Sequence, residues 1–302
     1  MELTHKNFCV KRHRHSSSSK LQSAMEYLMT YGWAILIIAI VLVALFSLGV
    51  FNSANFAPKA PPGSCQVIRP FGAGTTQDMN LEGECNGELP QYVAQFNGQS
   101  SYIDTGTTGL PTGSSARAVF AWVYPTNICP SNFCASIFVY GTPTGQENIG
   151  YGIADSSVYF TTQVSGYWSG PHVTANVWQF VGFSYDGVTT VTVYNGTQSR
   201  TESITALNTV IGSSPAYIST YVNSFSFPGS IADLQVYNTS LTANEVQYLY
   251  NEGIGGAPID LQNLVGWWPL NGNANDYSGN QNNGAATNVI YTTSWTNGYT
   301  AP

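Results

Sequence analysis

Charged residues are scarce in this chain. They make up 8% of its 302 residues, against roughly 25% in an average soluble protein. Five of the nine lysines and arginines and three of the four histidines lie within positions 1–20, so only four basic residues and His172 follow. A catalytic triad, a two-histidine metal site or an arginine clamp for phosphate is hard to build from this remainder. The net charge of -7 also argues against a nucleic-acid partner.

Uncharged polar residues and aromatics take the place of the missing charges. Gly, Ser, Thr, Asn and Tyr are abundant, and aromatic residues reach 13%. Intrinsic disorder usually combines low hydrophobicity with high charge, so this composition argues against it. The length allows one to two domains. We expect a folded, β-rich extracellular domain.

One segment is apolar enough to cross a membrane. No charge occurs from Tyr27 to Phe51, and Ile35–Phe46 is almost entirely aliphatic. About 20 apolar residues span a bilayer as a helix, whereas a buried core helix normally keeps a polar stripe. Basic residues precede the run and are absent after it until Lys59, so the positive-inside rule places the N-terminus in the cytoplasm. The sequence predicts a single-pass protein of the cell membrane with its C-terminal domain outside the cell.

A short motif precedes the apolar run. It reads Lys20-Leu-Gln-Ser-Ala-Met-Glu-Tyr27 and resembles the class III signal peptide of archaeal type IV pilin-like proteins. The resemblance implies a basic leader over residues 1–21 and cleavage between Leu21 and Gln22. It also implies a mature helix over residues 22–52 that lies in the lipid bilayer and can enter a surface filament with other pilin-like subunits.

Glu26 matches the acidic residue at position five of the mature pilin-like chain. The resemblance implies that this carboxylate neutralises the new N-terminal amine of a neighbouring subunit. The alternative is a charge in the headgroup region at a helix N-terminus, where the helix dipole favours it. The sequence departs from the family pattern at Leu21, which replaces a glycine, and at Ser23-Ala24, which replaces x-Ser.

The cysteines predict two disulfides in the exported part. Cys9 falls in the leader, and the four others are Cys65, Cys85, Cys129 and Cys134. An even number of extracellular cysteines indicates disulfides. Of three connectivities we favour Cys65–Cys85 and Cys129–Cys134, because the second pair closes a short turn. A zinc site is the alternative, but these spacings do not match common structural zinc motifs.

Short alternating runs broken by turn pairs follow Gln91. The runs Arg117–Tyr124, Trp178–Tyr185 and Val188–Tyr194 predict three strands of a meander, with hairpin turns at Asp186-Gly187 and Asn195-Gly196. Many short strands separated by turns predict a β-sandwich or jelly roll.

Four stretches in order resemble the LamG-like jelly roll of the concanavalin A-like lectin/glucanase group. They are residues 96–104, 118–125, 178–187 and 229–245, and the last ends in the capping box Thr242-Ala-Asn-Glu245 of a short helix. The resemblance implies a mainly β protein in which the N-terminal transmembrane helix precedes a concanavalin A-like β-sandwich over residues 91–302. Residues 53–90 would then form a proline-containing linker and disulfide-bearing segment.

The tail contains a segment out of its usual place. Residues 264–284 look like the segment that normally opens a LamG-like domain, yet here they come last. They either begin a truncated second repeat or fold back to supply a displaced first strand. The residues after them are too few for another sandwich, and the apolar Val-Gly-Trp-Trp run should not stay exposed. We favour the fold-back, with Trp267 and Trp268 on opposite faces of the strand.

Catalytic chemistry is poorly represented. Related endoglucanases carry a Glu-x-Asp-x-x-Glu strand for acid and nucleophile work, and no such motif occurs here. The carboxylates are scattered over Asp104, Glu147, Asp155, Asp186, Glu202 and Asp233. We therefore expect a protein without enzymatic activity. Tyr167, Trp168 and Tyr217 are aromatics that could stack on sugar rings, although aromatics of a sandwich more often belong to its core.

Calcium is the one cofactor that the sequence suggests. The segment Asp276-Tyr-Ser-Gly-Asn280 matches the family segment often associated with calcium, and Asp233 matches the acidic residue before the late strand. The resemblance implies Asp233, Asp276, Ser278 and Asn280 as oxygen ligands. The alternative is that Asp276 caps a tight turn closed by Gly279.

Two sequons, at Asn195 and Asn238, are candidate N-glycosylation acceptors. Asn195 is also a turn residue, which explains it without a sugar. The leading functional hypothesis is a pilin-like surface subunit whose LamG-like domain serves adhesion or recognises glycans or surface proteins. A purely structural filament or envelope subunit is the first alternative, and a surface-anchored glycan-active enzyme is the second.

Overall fold

The computed structural model describes residues 18–48, 50–51, 56–128, 133–143, 147–162, 166–220 and 224–302. The chain divides into two compact units, with the boundary between Asn55 and Phe56.

The N-terminal unit contains one long helix. Helix α1 runs from Ser18 to Ser47. Within it, Met29–Ser47 has a mean hydropathy of 2.5, and its side chains are not covered by other parts of the protein. By length and composition this helix can cross a membrane. It ends earlier than the expected segment 22–52, at Ser47, whose hydroxyl donates to the carbonyl of Ala44 at 2.8 Å.

The second unit is built from short strands and one helix. In chain order its strands are β1 (Lys59–Ala60), β2 (Cys65–Ile68), β3 (Asn80–Gly83), β4 (Leu89–Pro90), β5 (Val93–Asn97), β6 (Tyr102–Thr105), β7 (Arg117–Pro125), β8 (Phe133–Gly141), β9 (Asn148–Ala154), β10 (Ser157–Thr162), β11 (Gly166–His172), β12 (Gln179–Tyr185), β13 (Thr190–Asn195), β14 (Gln198–Ser203), β15 (Ala216–Ile218), β16 (Pro228–Tyr237), β17 (Leu264–Trp268), β18 (Ala285–Thr287) and β19 (Ile290–Thr292). Helix α2 (Ala243–Glu252) lies between β16 and β17.

Two large sheets form a β-sandwich. The seven-stranded sheet has the order β11-β10-β9-β8-β15-β6-β18. The eight-stranded sheet has the order β14-β13-β12-β7-β16-β5-β19, with β17 also paired to β16. Alternate side chains of both sheets point inward and form one core, which includes Val119, Phe160, Phe183 and Trp268. The expected mainly β sandwich after an apolar N-terminal helix is confirmed.

The outer face of the eight-stranded sheet is buried as well. On β7, Phe120 and Trp122 alternate with inward residues, yet both are almost inaccessible. Tyr250 of α2 stacks on Trp122 at 5.8 Å between ring centroids, and Tyr299 of the tail meets the same ring edge-on at 5.6 Å. The helix and the tail thus form a third layer over this sheet. Thr242 and Glu245 form the expected capping box at the start of α2.

Strand β16 changes partner halfway along its length. Its first half pairs with β5 and its second half pairs with β17, so that Leu234 lies opposite Trp268. The exchange occurs at a bulge at Asp233, which has a φ of 50°. The tail therefore folds back into the sandwich. Strands β18 and β19 continue it by pairing with β6 and β5 respectively, one in each sheet.

Residues 59–90 pack on the sandwich instead of forming a free linker. They form the parallel pair β1–β4 and the antiparallel pair β2–β3. Arg69 fixes them to the tail, because its guanidinium donates to the carbonyls of Ser278 and Leu264 at 2.8 and 2.7 Å. A disulfide joins Cys65 to Cys85, at an S–S distance of 1.97 Å. Cys129 and the side chain of Cys134 lie outside the described residues.

Candidate functional site

Three side chains form a patch on the outer face of the seven-stranded sheet. Ile103 and Ile218 point into the core, so by alternation Tyr102 and Asp104 of β6 and Tyr217 of β15 point outward. Asp104 and Tyr217 lie directly opposite each other on neighbouring strands. The rings of Tyr102 and Tyr217 meet edge-to-face, with 6.4 Å between centroids. We call these three residues the Tyr–Asp–Tyr patch.

The carboxylate of the patch is poorly solvated. Its Oδ1 atom is inaccessible to solvent and has no hydrogen-bond partner among the described residues. Desolvation raises the pKa of Asp104. Burial, followed by the charge of Asp104 and the neighbouring Tyr102, raises the pKa of the Tyr217 hydroxyl. A carboxylate with a dry oxygen carries a free-energy cost that a hydrogen-bond donor would offset.

Small residues keep the sheet surface around the patch low. Along the row that contains Asp104 and Tyr217, the cross-strand neighbours are Ala285 on one side and Val139 followed by Gly150 on the other. The patch therefore combines two ring surfaces, one acceptor group and little steric obstruction. This arrangement can hold an apolar face by ring contact while the carboxylate accepts hydrogen bonds from hydroxyl groups beside that face.

Three of the four residues expected to bind calcium are instead engaged in the turn of the tail. Asp276 Oδ1 accepts from the backbone N–H groups of Trp267 and Ser278 at 3.0 and 2.8 Å, and Oδ2 accepts from that of Asn282 at 2.8 Å. Gly279 has a φ of 81°, which favours glycine, and a side chain there would meet Arg69. Asp276 thus caps a tight turn, which is the alternative that the sequence left open.

The amide candidate Asn280 and the hydroxyl candidate Ser278 form hydrogen bonds in the same turn. Asn280 donates from Nδ2 to the carbonyls of Leu264 and Val265 at 3.2 and 3.1 Å, and its Oδ1 accepts from the N–H of Gly74 at 2.8 Å. The Ser278 hydroxyl donates to the carbonyl of Val265 at 3.4 Å. These contacts fasten the turn to β17 and to the segment after Arg69.

Asp233 is buried at the bulge of β16, beside the Trp267 indole and away from the turn. Its Oδ1 atom accepts from Trp267 Nε1 at 2.7 Å, and its Oδ2 atom accepts from Gln235 Nε2 at 2.9 Å. Burial raises its pKa to about 7, against the smaller opposing effect of these two donors.

The four residues do not fit a calcium ion. Their oxygens already take part in hydrogen bonds within the protein. The positive charge of Arg69 interacts electrostatically with Asp276, where a metal ion would otherwise be needed. Among the described residues no three His, Cys, Asp or Glu side chains form a group that could hold a metal ion. We derive no role for calcium at this turn.

The raised pKa of Asp233 predicts a pH-dependent stability. Its folded pKa of about 7 exceeds the unfolded value of about 3.9. The stability due to the protonated group is therefore complete below about pH 4 and is lost as the pH rises through about 7. As the pH rises between these limits, the free energy of unfolding of the protein should fall by up to about 4 kcal/mol more than that of the Asp233→Asn variant. Denaturant unfolding followed by tryptophan fluorescence at each pH measures it.

Glu202→Gln is the matched control for that series, because Glu202 is a partly exposed carboxylate in a surface ion pair with Arg200. Parallel pH profiles of the protein, Asp233→Asn and Glu202→Gln would contradict the assignment to Asp233.

The two glycosylation candidates differ in their surroundings. Asn195 Nδ2 donates to the carbonyl of His172 at 2.7 Å and to Gln179 Oε1 at 2.9 Å. Attachment of a sugar to this nitrogen would replace one of its two hydrogens and so remove at least one of these contacts. Asn238 is exposed just after β16, and it is the more accessible acceptor of the two.

For some candidate site residues from the sequence analysis, the structure describes the backbone but not the side chain. The backbone of Leu21, Gln22 and Glu26 is part of α1, but their side chains lie outside the described ones, as do those of Tyr167 and Trp168 on β11. The sequence identified Tyr217 as an aromatic candidate and Asp104 as a scattered carboxylate. It did not bring them together. The alternation of Tyr102, Ile103 and Asp104 could have indicated a shared outer face for two of the three.

Comparison with known proteins agrees with the fold. No curated protein gives a significant match to the chain. Among solved structures, a candidate carbohydrate binding protein from Bacteroides ovatus is similar at 13% identity over 77% of this chain and 70% of its own, with a TM-score of 0.51. The heptameric SAP-like pentraxin of Limulus polyphemus has 16% identity over 67% of this chain and 94% of its own, with a TM-score of 0.45.

A third similar structure is the CBM40 module of the Ruminococcus gnavus IT-sialidase, solved with α2,3-sialyllactose. It has 16% identity over 53% of this chain and 97% of its own, with a TM-score of 0.43. At 13% identity the match to the Bacteroides ovatus protein speaks for the fold alone. Residues 97–247, half of the chain, match the Laminin_G_3 family model, described as the concanavalin A-like lectin/glucanases superfamily. The chain belongs to this family.

Proposed function

We propose that the chain is a membrane-anchored surface subunit whose sandwich recognises glycans through the Tyr–Asp–Tyr patch. One observation carries the proposal: the carboxylate of Asp104, whose Oδ1 has no hydrogen-bond donor among the described residues, lies beside two tyrosine rings on a sheet face. Sugars present apolar ring faces with hydroxyl donors at their edges, which is the complement of this patch. Membership of a lectin-containing superfamily agrees with it.

The proposal includes no catalytic activity. Glycoside hydrolysis uses two carboxyl groups roughly 5–10 Å apart. The cross-strand neighbours of Asp104 are Tyr217 and Ala285, and neither is a carboxylic acid. The patch offers binding groups without an acid and nucleophile pair.

Asp104→Asn should weaken glycan binding about 10- to 100-fold, because a hydrogen bond to a charged group contributes about 1.5–3 kcal/mol. Tyr217→Ala should also weaken it, by removing one ring. The measurement is a glycan array with the full chain in micelles of a detergent that has no sugar headgroup, followed by titration of the best ligand. Binding should also weaken as the pH falls through the raised pKa of Asp104.

Glu202→Gln is again the matched control, since it removes a partly exposed carboxylate from β14 of the other sheet. An empty array for the unaltered protein would favour the purely structural subunit. Equal binding by the protein and Asp104→Asn would remove the patch from the proposal.

For the N-terminal unit we propose a pilin-like role. The Gln22 to Glu26 spacing before the apolar run supports it, as does an apolar helix long enough to cross a membrane. In this proposal the sandwich lies outside the cell, anchored in the lipid bilayer, and Glu26 pairs with the amine of a neighbouring subunit.

The surface form of the protein should begin at Gln22, which intact-mass measurement checks. Glu26→Val should leave membrane insertion intact, because it removes a charge from the edge of an apolar segment, and it should impair filament assembly as seen by electron microscopy. A mature chain that begins at Met1, or normal filaments from the Glu26→Val variant, would contradict this role.

A further inference from the structure

Two clefts lie side by side on the outer face of the eight-stranded sheet and share Trp178 as a wall. Their volumes are 310 and 280 Å³, at the lower end of about 300–1,000 Å³ that is usual for small-molecule sites. The larger contains Thr300 and the smaller contains Asn297, so we call them the Thr300 cleft and the Asn297 cleft. Neither touches the Tyr–Asp–Tyr patch, which lies on the other sheet.

The linings combine aromatic rings with many amides and hydroxyls. In the Thr300 cleft the amides and hydroxyls are those of Thr174, Gln179, Asn195, Thr197, Gln198 and Thr300. In the Asn297 cleft they are those of Gln95, Thr126, Ser230, Thr292, Ser294 and Asn297. Among the described residues that line them there is no Asp, Glu, Lys or Arg. Apart from His172 in the Thr300 cleft, the described lining residues offer an ionic ligand no counter-charge, whereas a ligand with many hydroxyl groups would find donors and acceptors in both clefts.

The shared wall is held rigidly. Trp178 donates from Nε1 to the carbonyl of Trp295 at 2.8 Å, and its backbone N–H donates to the carbonyl of Gly298 at 3.0 Å. The two tryptophan rings meet edge-on at 6.0 Å between centroids. Fixed groups lose little conformational entropy on binding, so such a wall suits recognition.

The amides of the larger cleft are also pre-positioned. Gln179 Nε2 donates to the carbonyl of Thr174 at 2.7 Å, and Gln179 Oε1 accepts from Asn195 Nδ2 at 2.9 Å. The tail supplies Thr292, Asn297 and Thr300, all of which lie beyond the family match at residues 97–247. The tail therefore completes clefts whose other walls come largely from the matched domain.

We infer that the two clefts form a second binding site, for an uncharged oligosaccharide of two or more sugar rings that crosses Trp178. One ring would fill each cleft, with the amides and hydroxyls sharing hydrogen bonds with its hydroxyl groups. The site is independent of the Tyr–Asp–Tyr patch in position and, lacking a carboxylate, in chemistry.

The test uses the full chain carrying Asp104→Asn, in micelles of dodecylphosphocholine, which has no sugar headgroup. The probes are chitotetraose, mannotetraose and cellotetraose, the three corresponding monosaccharides, and 3′-sialyllactose as an acidic sugar, each titrated by calorimetry. We expect at least one neutral tetrasaccharide to bind at least tenfold more tightly than its monosaccharide and than 3′-sialyllactose.

Two further variants each remove one exposed amide side chain: Asn297→Ala from the Asn297 cleft and Gln198→Ala from the Thr300 cleft. Each should weaken tetrasaccharide binding about three- to tenfold, which is the contribution of one neutral hydrogen bond. Asn244→Ala is the matched control, since Asn244 is an exposed amide on α2 that lines neither cleft.

Two results would overturn the second site without affecting the patch: no tetrasaccharide binds the Asp104→Asn protein while the unaltered protein binds glycans, or the cleft variants bind as Asn244→Ala does. Preference for 3′-sialyllactose, or equal affinity for monosaccharide and tetrasaccharide, would overturn the ligand class. Failure of the unaltered protein to bind any sugar would overturn both this site and the proposed function.

Discussion

Deleting residues 264–302 should leave the sandwich unable to fold cooperatively. The deletion removes β17, β18 and β19, which pair with β16, β6 and β5. Strands β6 and β5 would become the sheet edges in place of β18 and β19, β16 would lose its partner β17, and the core would lose the Trp268 side chain. Helix α1 would keep its far-UV signal, so near-UV circular dichroism and tryptophan fluorescence are the measurements that report on the sandwich.

Single substitutions refine this prediction. Trp268 is fully buried, its ring lies 6.0 Å from that of Phe138, and its Nε1 donates to the carbonyl of Asn282 at 3.0 Å. Trp268→Ala should cost about 3–5 kcal/mol, which for a domain of this size lowers Tm by about 6–20 °C. Tyr248→Ala removes an exposed aromatic from α2 and should leave Tm nearly unchanged. A truncated chain that melts cooperatively at the full-length Tm would mean that the tail is dispensable.

Arg117→Met should cost about 3–5 kcal/mol, the second large effect. Arg117 is completely buried. Its guanidinium donates to the carbonyls of Pro111 and Gly113 at 3.2 and 2.9 Å, and to the side chains of Tyr140 and Thr209 at 2.8 and 2.9 Å. Methionine fills similar volume but removes these donors, and each hydrogen bond from a charged group contributes about 1.5–3 kcal/mol.

Arg200→Met is the matched control, because Arg200 lies at the surface and, among the described residues, forms an ion pair with Glu202 at 2.7 Å. An exposed ion pair contributes about 0–1 kcal/mol, so this variant should unfold at nearly the same denaturant concentration as the unaltered protein. Equal midpoints for the two methionine variants would show that the buried guanidinium is dispensable.

Local sequence signals predicted much of the fold. The capping box at Thr242 and Glu245 needs only residues three apart, and the alternation in Arg117–Tyr124 needs only one strand. The apolar Val-Gly-Trp-Trp run likewise indicated that it had to be covered. These features depend on residues that are close together in the chain, so one sequence is enough to predict them.

Apart from the fold-back of the tail, the pairing of distant strands could not be predicted from the sequence. The Asp186-Gly187 pair was expected to form a two-residue turn, but Tyr185 pairs with Val191, and Asp186 closes a wider loop by accepting the N–H groups of Val188 and Thr190. The patch could not be predicted either, because Asp104 and Tyr217 meet only through the pairing of β6 with β15. The polar tail turn satisfies its own backbone, and the same residues in sequence resemble a cation site.

The fold-back of the tail has a consequence for the timing of synthesis. Strand β5 pairs with β19, and β6 pairs with β18, in each case across most of the length of the sandwich. At about 5–20 residues per second, the roughly 200 residues between β5 and β19 take about 10–40 s to synthesise. During that interval both early strands expose edges that any other extended chain can pair with. Contacts of such long sequence separation also form slowly. The newborn domain is therefore most vulnerable to wrong pairing before its last two strands emerge.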